Sequence, residues 1–120
     1  QGKADAQYVV GAMYYTGNAV LQDHKQAVGW FRKAAEQNHA EAQQVLGLMY
    51  RYHMGGVPQD NVIAYMLWNL AAANGNANAA DQRAAVVRKM THEQVEEGQA
   101  LSAKWKPGTP LPRQSKTGAG

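Results

Sequence analysis

Apolar residues recur along this chain at the three- and four-residue spacing of amphipathic helices. In the first segment they stand on one helical face, at positions 6, 9, 10, 13 and 14, and Gly17 and Asn18 end the run. Asp23 is placed to cap a second helix that extends to about Gln37. No segment carries the alternating, β-branched pattern of a strand. The pattern therefore predicts an all-α fold.

The same pair of helices is predicted twice more along the chain. The second pair covers residues 40–54 and the segment from a cap at Asp60 to Gly75. The third pair is degenerate, and it covers 77–90 and, after a capping-box pattern, 91–105. Six helices in three antiparallel pairs are therefore expected.

Sequence identity between the pairs shows that they are internal repeats. Segments 4–14 and 40–50 are identical at seven of eleven positions. One helix pair cannot bury its apolar face alone, so stacked pairs are expected to complete a continuous core over residues 1–105. The units are assigned to about 4–39, 40–76 and 77–105.

Small and aromatic residues at repeated positions predict how these helices pack. Ala6 and Gly11 are expected to let helices approach closely, whereas Trp30 fills a wider gap between them. The other aromatic residues expected in the core are Tyr14, Tyr50, Tyr52, Tyr65 and Trp68. The last four of these leave open a second interpretation, in which they form an aromatic cage around a ligand.

The charges of the chain balance everywhere except in its C-terminal segment. The net charge is +3, yet residues 1–105 carry nine basic and nine acidic side chains. Because the sequence shows no clustered basic patch, the chain is expected to bind no nucleic acid. Residues 106–120 hold three of the four prolines and no acidic or aromatic residue. Little can drive their burial, so they are predicted to form an irregular, largely dispensable tail, although Leu111 leaves open that the tail lies along the last helix.

The repeat resembles the Sel-one-like repeat, a subclass of the tetratricopeptide-like superfamily. The family pattern is A-x-x-x-L-G-x-x-Y-x-x-G-x-G-V-x-x-D-x-x-K-A-x-x-W-x-x-K-A-A, and the resemblance covers about residues 1–107. The first unit matches eleven of the fourteen fixed positions, at Ala6, Gly11, Tyr14, Gly17, Val20, Asp23, Ala27, Trp30, Lys33, Ala34 and Ala35. The second unit matches ten, at Ala42, Leu46, Gly47, Tyr50, Gly55, Val57, Asp60, Ala64, Ala71 and Ala72.

This resemblance implies a right-handed α–α superhelix of two full repeats and a degenerate third. Such proteins act as scaffolds, so the chain is expected to bind another protein or a peptide, to need no cofactor and not to be an enzyme. Bacterial members occur in the periplasm or are secreted, which favours those locations, although a cytoplasmic one stays open. Because the chain opens where a preceding repeat would end, we expect a monomer or a fragment of a longer array.

The sequence contains no recognisable catalytic or metal-binding motif. It has no cysteine, and none of its four histidines lies four residues from another. His92 begins half of a zincin motif without its second histidine, and His24 and His39 are expected to be solvated. No apolar run is long enough for membrane insertion. The alternative to a scaffold is an enzyme or small-ligand-binding protein with a pocket between repeats.

A candidate binding surface follows from the positions that differ between otherwise similar units. In the first helix of each unit these positions are three and four residues apart, and so they form one helical stripe. First helices line the concave face of stacked pairs, where a partner protein would bind, although a solvent-exposed stripe without function would vary in the same way. The predicted partner-binding stripe consists of Tyr8, Tyr15, Glu41, Gln44, Leu48, Arg51, Asp81 and Arg88.

Overall fold

A computed structural model describes residues 2–118 of the chain. Over these residues the protein contains six α-helices and no β-strand, and the helices form an α–α superhelix, which confirms the predicted fold class. Consecutive helices from the first to the fifth pack against each other, and the sixth packs mainly against the fourth. The helices are α1 (Gly2–Thr16), α2 (His24–Ala35), α3 (Ala40–Tyr52), α4 (Asn61–Ala73), α5 (Ala77–Val87) and α6 (His92–Lys104).

Polar side chains cap the helices at the predicted positions. The Asp23 and Asp60 carboxylates each accept two backbone N–H groups from the first turn of the following helix, at 3.1 Å. Thr91 forms the predicted capping box with Gln94 at the start of α6. His53 ends α3 in the left-handed conformation, with φ +57°. These local bonds fix where the helices start and stop, which is why the sequence could predict their bounds closely.

Close packing within each repeat places a glycine against an aromatic ring. A Cβ atom on Gly11 would lie 2.8 Å from the ring of Phe31, across the α1–α2 contact. A Cβ atom on Gly47 would lie 2.5 Å from the indole nitrogen of Trp68, across the α3–α4 contact. Both distances are shorter than van der Waals contact, so only glycine fits at these two points. The close approach predicted for Gly11 is confirmed.

Three of the packing predictions are wrong. Ala6 is exposed, and Ala4 is buried in its place. Trp30 is only half-buried, whereas the adjacent Phe31 is fully enclosed in the core. Tyr52 is 63% exposed. Residues one or two positions apart on a helix point in different directions. An error of one or two positions in assigning the buried face of a helix therefore exchanges core residues with surface residues.

Side-chain amides connect the first two units at their joint. Asn38 and Asn74 occupy equivalent places in the two units, and the amide nitrogen of Asn74 donates to the side-chain oxygen of Asn38 at 2.9 Å. The fully buried Gln43 donates to the same oxygen at 3.1 Å and to the backbone oxygen of Ala35 at 3.2 Å. These bonds hold one unit against the next at a fixed spacing.

Residues 106–118 contain no helix, yet they pack along α4, and we call them the strap. The backbone N–H of Leu111 donates to the Glu36 carboxylate at 3.0 Å, and that of Ser115 donates to Asp60 at 2.8 Å. The next two N–H groups donate to Glu97 on α6. Leu111 is only 4% exposed. Most of the strap is exposed, as the sequence predicts, and Leu111 and Ser115 are its buried residues. The sequence did not predict that carboxylates at the helices bind the strap through its backbone.

Candidate functional site

The two tyrosines of the predicted stripe are held by the core of the first unit. Both rings lie against Phe31, with centroids 5.6 Å away for Tyr8 and 6.3 Å away for Tyr15. Each tyrosine also stacks on a histidine, Tyr8 on His39 and Tyr15 on His24. Both side chains are half-buried, so a large part of each ring is already in contact with the protein itself.

His39 is a structural residue and not the solvated side chain that the sequence predicts. Its Nδ1 accepts the backbone N–H of Ala42 at 3.2 Å and so caps α3, while its Nε2 lies 2.9 Å from the Asp5 carboxylate. The side chain is 11% exposed. Burial raises the pKa of the neighbouring Tyr8 phenol above its ordinary value, and the negative charge of Glu41 adds to the increase. His24 is likewise half-buried, beneath Tyr15.

Three charged residues of the stripe lie on open surface. Glu41 is exposed at the start of α3, and Asp81 and Arg88 are exposed on α5 and at its C-terminal cap. None of the three lines a cavity among the described residues. The geometry therefore does not bring them together into one site.

The rest of the stripe borders a groove between α3 and α5. One end of the groove is closed by Gln44, whose side-chain amide donates to Gln82 at 3.0 Å. The volume beyond it is about 320 Å³, and we call this space the α3–α5 groove. It is lined by Leu48, Arg51, Tyr52, Trp68, Gln82, Ala85, Val86 and Lys89.

The α3–α5 groove combines an apolar floor with a cationic and aromatic rim. Trp68 and Val86 are buried beneath it, and the indole nitrogen of Trp68 is already satisfied by the backbone oxygen of Gln44. Arg51 donates to Asn61 at 3.3 Å and places its guanidinium carbon 5.2 Å from the centre of the exposed Tyr52 ring. Such a surface can accept an apolar side chain and bind a carboxylate beside it.

Of the eight residues that line this groove, the predicted stripe includes only Leu48 and Arg51. The predicted stripe on α5 includes positions 81 and 88, whereas Gln82 and Lys89 line the groove. The groove residues are thus one position further along the helix, because the packing of α5 against α4 sets its rotation. The sequence predicts Tyr52 in the core, yet the equivalent position of the first unit is Thr16. This difference between the units indicates that the fold does not require an aromatic residue at that position.

The part of the chain that the structure describes contains neither a cluster of metal ligands nor a membrane-spanning helix. Between residues 2 and 118, no three histidine, aspartate or glutamate side chains gather as metal ligands would. None of the helices formed by these residues combines the length and the apolar character needed to cross a membrane.

Solved structures share this architecture over most of the chain. The crystal structure of c5321, a protective antigen present in uropathogenic Escherichia coli strains and displaying an SLR fold, aligns with a TM-score of 0.84 and 31% identity. The alignment covers 99% of this chain and 27% of that one. A Sel1 repeat protein from Oxalobacter formigenes aligns with a TM-score of 0.64 and 42% identity, over 66% of this chain and 23% of that one. This chain thus spans about a quarter of the length of either protein.

The family model of the Sel1 repeat matches residues 4–39 and 40–76. No curated protein matches the chain in sequence. Proteins built from Sel1 repeats generally mediate protein–protein interactions, and their fold is typically a non-catalytic scaffold. With two matched units, six helices and structural neighbours that carry the same fold, this chain belongs to the Sel1 repeat family.

Proposed function

We propose that this chain is a non-catalytic scaffold that binds a protein or peptide along its first helices, with the α3–α5 groove as the main contact. The observation that carries the proposal is the groove itself, where exposed and half-exposed side chains surround a buried indole floor. Aromatic and arginine side chains around a buried centre are typical of residues that dominate binding energy at protein interfaces.

The groove favours binding over catalysis because of the side chains that it lacks. Its lining contains no carboxylate, histidine, serine or threonine side chain. Histidine and carboxylates are the side chains that most often act as general acids and bases, which leaves Tyr52 and Lys89 as the groups of the lining that could move a proton. The residues around this groove therefore favour a binding role over the alternative of an enzyme with a pocket between repeats.

The size of the groove limits the partner that it can accept. A volume of about 320 Å³ holds one or two side chains of a partner segment rather than a whole domain. Arg51 and Lys89, one on each side of the groove, supply two positive charges for carboxylates of the same segment. We therefore propose a segment with an apolar anchor residue next to an acidic one.

The test begins with capture of a partner from an extract of the source organism, followed by affinity measurements on purified components. Lys89→Glu and Arg51→Glu are each expected to weaken binding about tenfold, which corresponds to about 1.4 kcal/mol. Neither substitution should shift the urea midpoint of unfolding by much, because neither side chain is fully buried.

Arg88→Glu is the matched control, because Arg88 carries the same charge as its neighbour Lys89 but lies outside the groove. It is expected to leave the affinity within about twofold. If Arg88→Glu weakens binding more than Lys89→Glu does, the stripe predicted from sequence is the binding surface and the groove is not. If no variant on α3 or α5 changes the affinity, the partner binds another face.

A further inference from the structure

A second cleft lies on the side of the second helices, between α2, residues 55–57 and the strap. Its volume is about 590 Å³. Four cationic side chains reach it, although the sequence separates them by up to 88 residues, and they are Lys25, Arg32, Lys33 and Arg113. Three of them lie on α2, and Arg113 joins them only when the strap returns to that helix. We call this space the α2 cleft.

Arg32 is the unusual member of the α2 cleft, because it is buried without a counter-charge. The residue is 6% exposed, and its Nε and Nη1 have no hydrogen-bond partner among residues 2–118. Its Nη2 donates to the hydroxyl of Tyr50, whose ring centroid lies 5.6 Å from the guanidinium carbon. It forms no ion pair with any described carboxylate. A buried charge with unpaired donors is costly unless an opposite charge reaches it.

The equivalent position of the next repeat shows that the fold does not require such a side chain. Asn69 stands 37 residues after Arg32, at the same place on α4. Both ends of its amide are satisfied, since it accepts from Arg83 at 2.9 Å and donates to Ser102 at 3.2 Å. A neutral residue with complete hydrogen bonding thus serves the helix packing there. The helix packing of the repeat therefore does not require the positive charge of Arg32.

The acids near the α2 cleft do not neutralise its charge. Glu36 lines the cleft, but its carboxylate accepts the backbone N–H of Leu111 at 3.0 Å. Asp23 stands at the start of α2, where its carboxylate caps the helix through two backbone N–H groups. Both carboxylates keep their negative charge while they accept these N–H groups, but the lining itself holds four cations and only the carboxylate of Glu36, so the cleft keeps an excess of positive charge.

The length of the α2 cleft indicates the shape of its ligand. Its lining extends along α2 from Lys25 to Glu36, which is about 16 Å at 1.5 Å per residue. An extended peptide of about five residues spans this length at about 3.3 Å per residue. Val28, Val57 and Pro110 supply apolar surface between the cations. Cations spread over this distance suit several carboxylates along a chain better than one compact anion.

We propose that the α2 cleft binds an acidic peptide segment of another protein, with the exposed Lys25 and Arg113 pairing its carboxylates and the buried charge of Arg32 adding to the attraction. An incoming carboxylate supplies the counter-charge that Arg32 lacks among the described residues. This site is separate from the α3–α5 groove, and the scaffold would thereby engage two partners, or two segments of one partner, on opposite faces.

The test uses a fluorescein-labelled pentaglutamate peptide and fluorescence anisotropy with the whole chain. We expect saturable binding that weakens as salt is added. Arg32→Gln is expected to weaken it about tenfold, and Arg113→Gln, on the exposed part of the strap, by a smaller factor. Arg88→Gln, which makes the same charge change on α5 outside the cleft, should leave the affinity unchanged. If Arg51→Gln weakens binding more than Arg32→Gln and Arg113→Gln do, the peptide binds the α3–α5 groove and the proposal is overturned.

A second measurement keeps the proposal testable if Arg32→Gln perturbs the fold. A ligand that binds the folded state raises the melting temperature of the protein. The peptide is therefore expected to raise the melting temperature of the native chain and of Arg88→Gln, and to raise that of Arg113→Gln by less. The proposal is overturned if anisotropy does not saturate or if Arg88→Gln weakens binding as much as Arg113→Gln. Inorganic phosphate that displaces the peptide at equal concentration would show that the cleft is a site for a small anion instead.

Discussion

Helices α2 and α4 occupy the same place in their repeats but differ in how much of their surface is buried. All seven residues of 62–68 on α4 are buried. On α2, buried residues alternate with exposed ones, and Lys25, Gly29 and Lys33 face outward. The positions on α4 that correspond to these three are held by Val62, Met66 and Leu70.

The difference comes from what covers each helix. The outer side of α4 is covered by α6 and by the strap, whereas that side of α2 is left open in the described chain. A helix that is enclosed on all sides becomes apolar around its whole circumference, while one with an open side keeps a polar stripe. The repeat pattern therefore fixes where a helix lies, but its neighbours decide which residues it can carry.

Replacing one tryptophan on each helix by alanine is expected to give the largest difference in stability between the two helices. Trp68→Ala on α4 should lower the free energy of unfolding by about 3–5 kcal/mol, because it opens a cavity beneath Gly47. Trp30→Ala on α2 should cost about 1 kcal/mol, since that ring is only half-buried. Urea denaturation measures both. Equal losses for the two variants would show that the outer face of α2 is covered after all.

The next largest difference in stability is expected between substitutions of the two N-cap residues, Asp60 and Asp23. Asp60→Ala should cost about 2–4 kcal/mol, because this buried carboxylate both caps α4 and accepts the strap at Ser115. Asp23→Ala removes the same kind of cap from α2, but Asp23 is exposed and holds no strap, so about 1 kcal/mol is expected. If the urea midpoints fall equally, the bond between Asp60 and the strap contributes nothing to stability.

The strap itself can be tested through one apolar contact. Leu111→Ala should cost about 2 kcal/mol, because the side chain is buried, although the irregular backbone around it can relax. Leu21→Ala is the matched control, since Leu21 is 90% exposed, and it should change stability by less than about 0.5 kcal/mol. A chain truncated after Lys106 that unfolds at an unchanged urea concentration would restore the interpretation of the tail as dispensable.

Acid is expected to release the end of the strap from Glu97, and this is the smallest of the effects. Burial raises the pKa of Glu97, but hydrogen bonds from Lys116 and Thr117 and the charge of Lys116 outweigh it, so the pKa lies below its ordinary value of 4.5. A carboxylate with a lowered pKa stabilises the folded state above the unfolded pKa, and this contribution is lost as the pH falls through the folded value.

Amide resonances of residues 116 and 117 should therefore shift as the pH falls below about 4.5. In Glu97→Gln the same amides should lack this pH dependence. If they titrate as in the native chain, another group holds the strap.

The parts of this fold that depend on local bonds were predictable from sequence. Asp23, Asp60 and Thr91 each cap a helix through neighbours two or three residues away, so their roles can be recognised without a structure. The phase of α5 was not predictable to one residue, because its packing on α4 and not its own composition sets the rotation, and Lys89 instead of Arg88 lines the groove.

The strap was least predictable, since its binding relies on backbone N–H groups that every sequence carries. Nothing in the composition of residues 106–120 indicates that Glu36, Asp60 and Glu97 stand ready to accept those groups. The α2 cleft was missed for the same reason, because Arg113 reaches it only through the strap.

The strap also determines the order in which the chain can fold. Helix pairs join residues that are near in sequence, whereas the strap bonds join residues 55 and 75 positions apart. Contacts of such long separation carry a larger loop-closure cost and form more slowly than local ones. The strap is also synthesised after all the helices that it covers. During that interval the part of α4 that the strap covers is open to other chains, and a product that stops short of Leu111 keeps that part exposed.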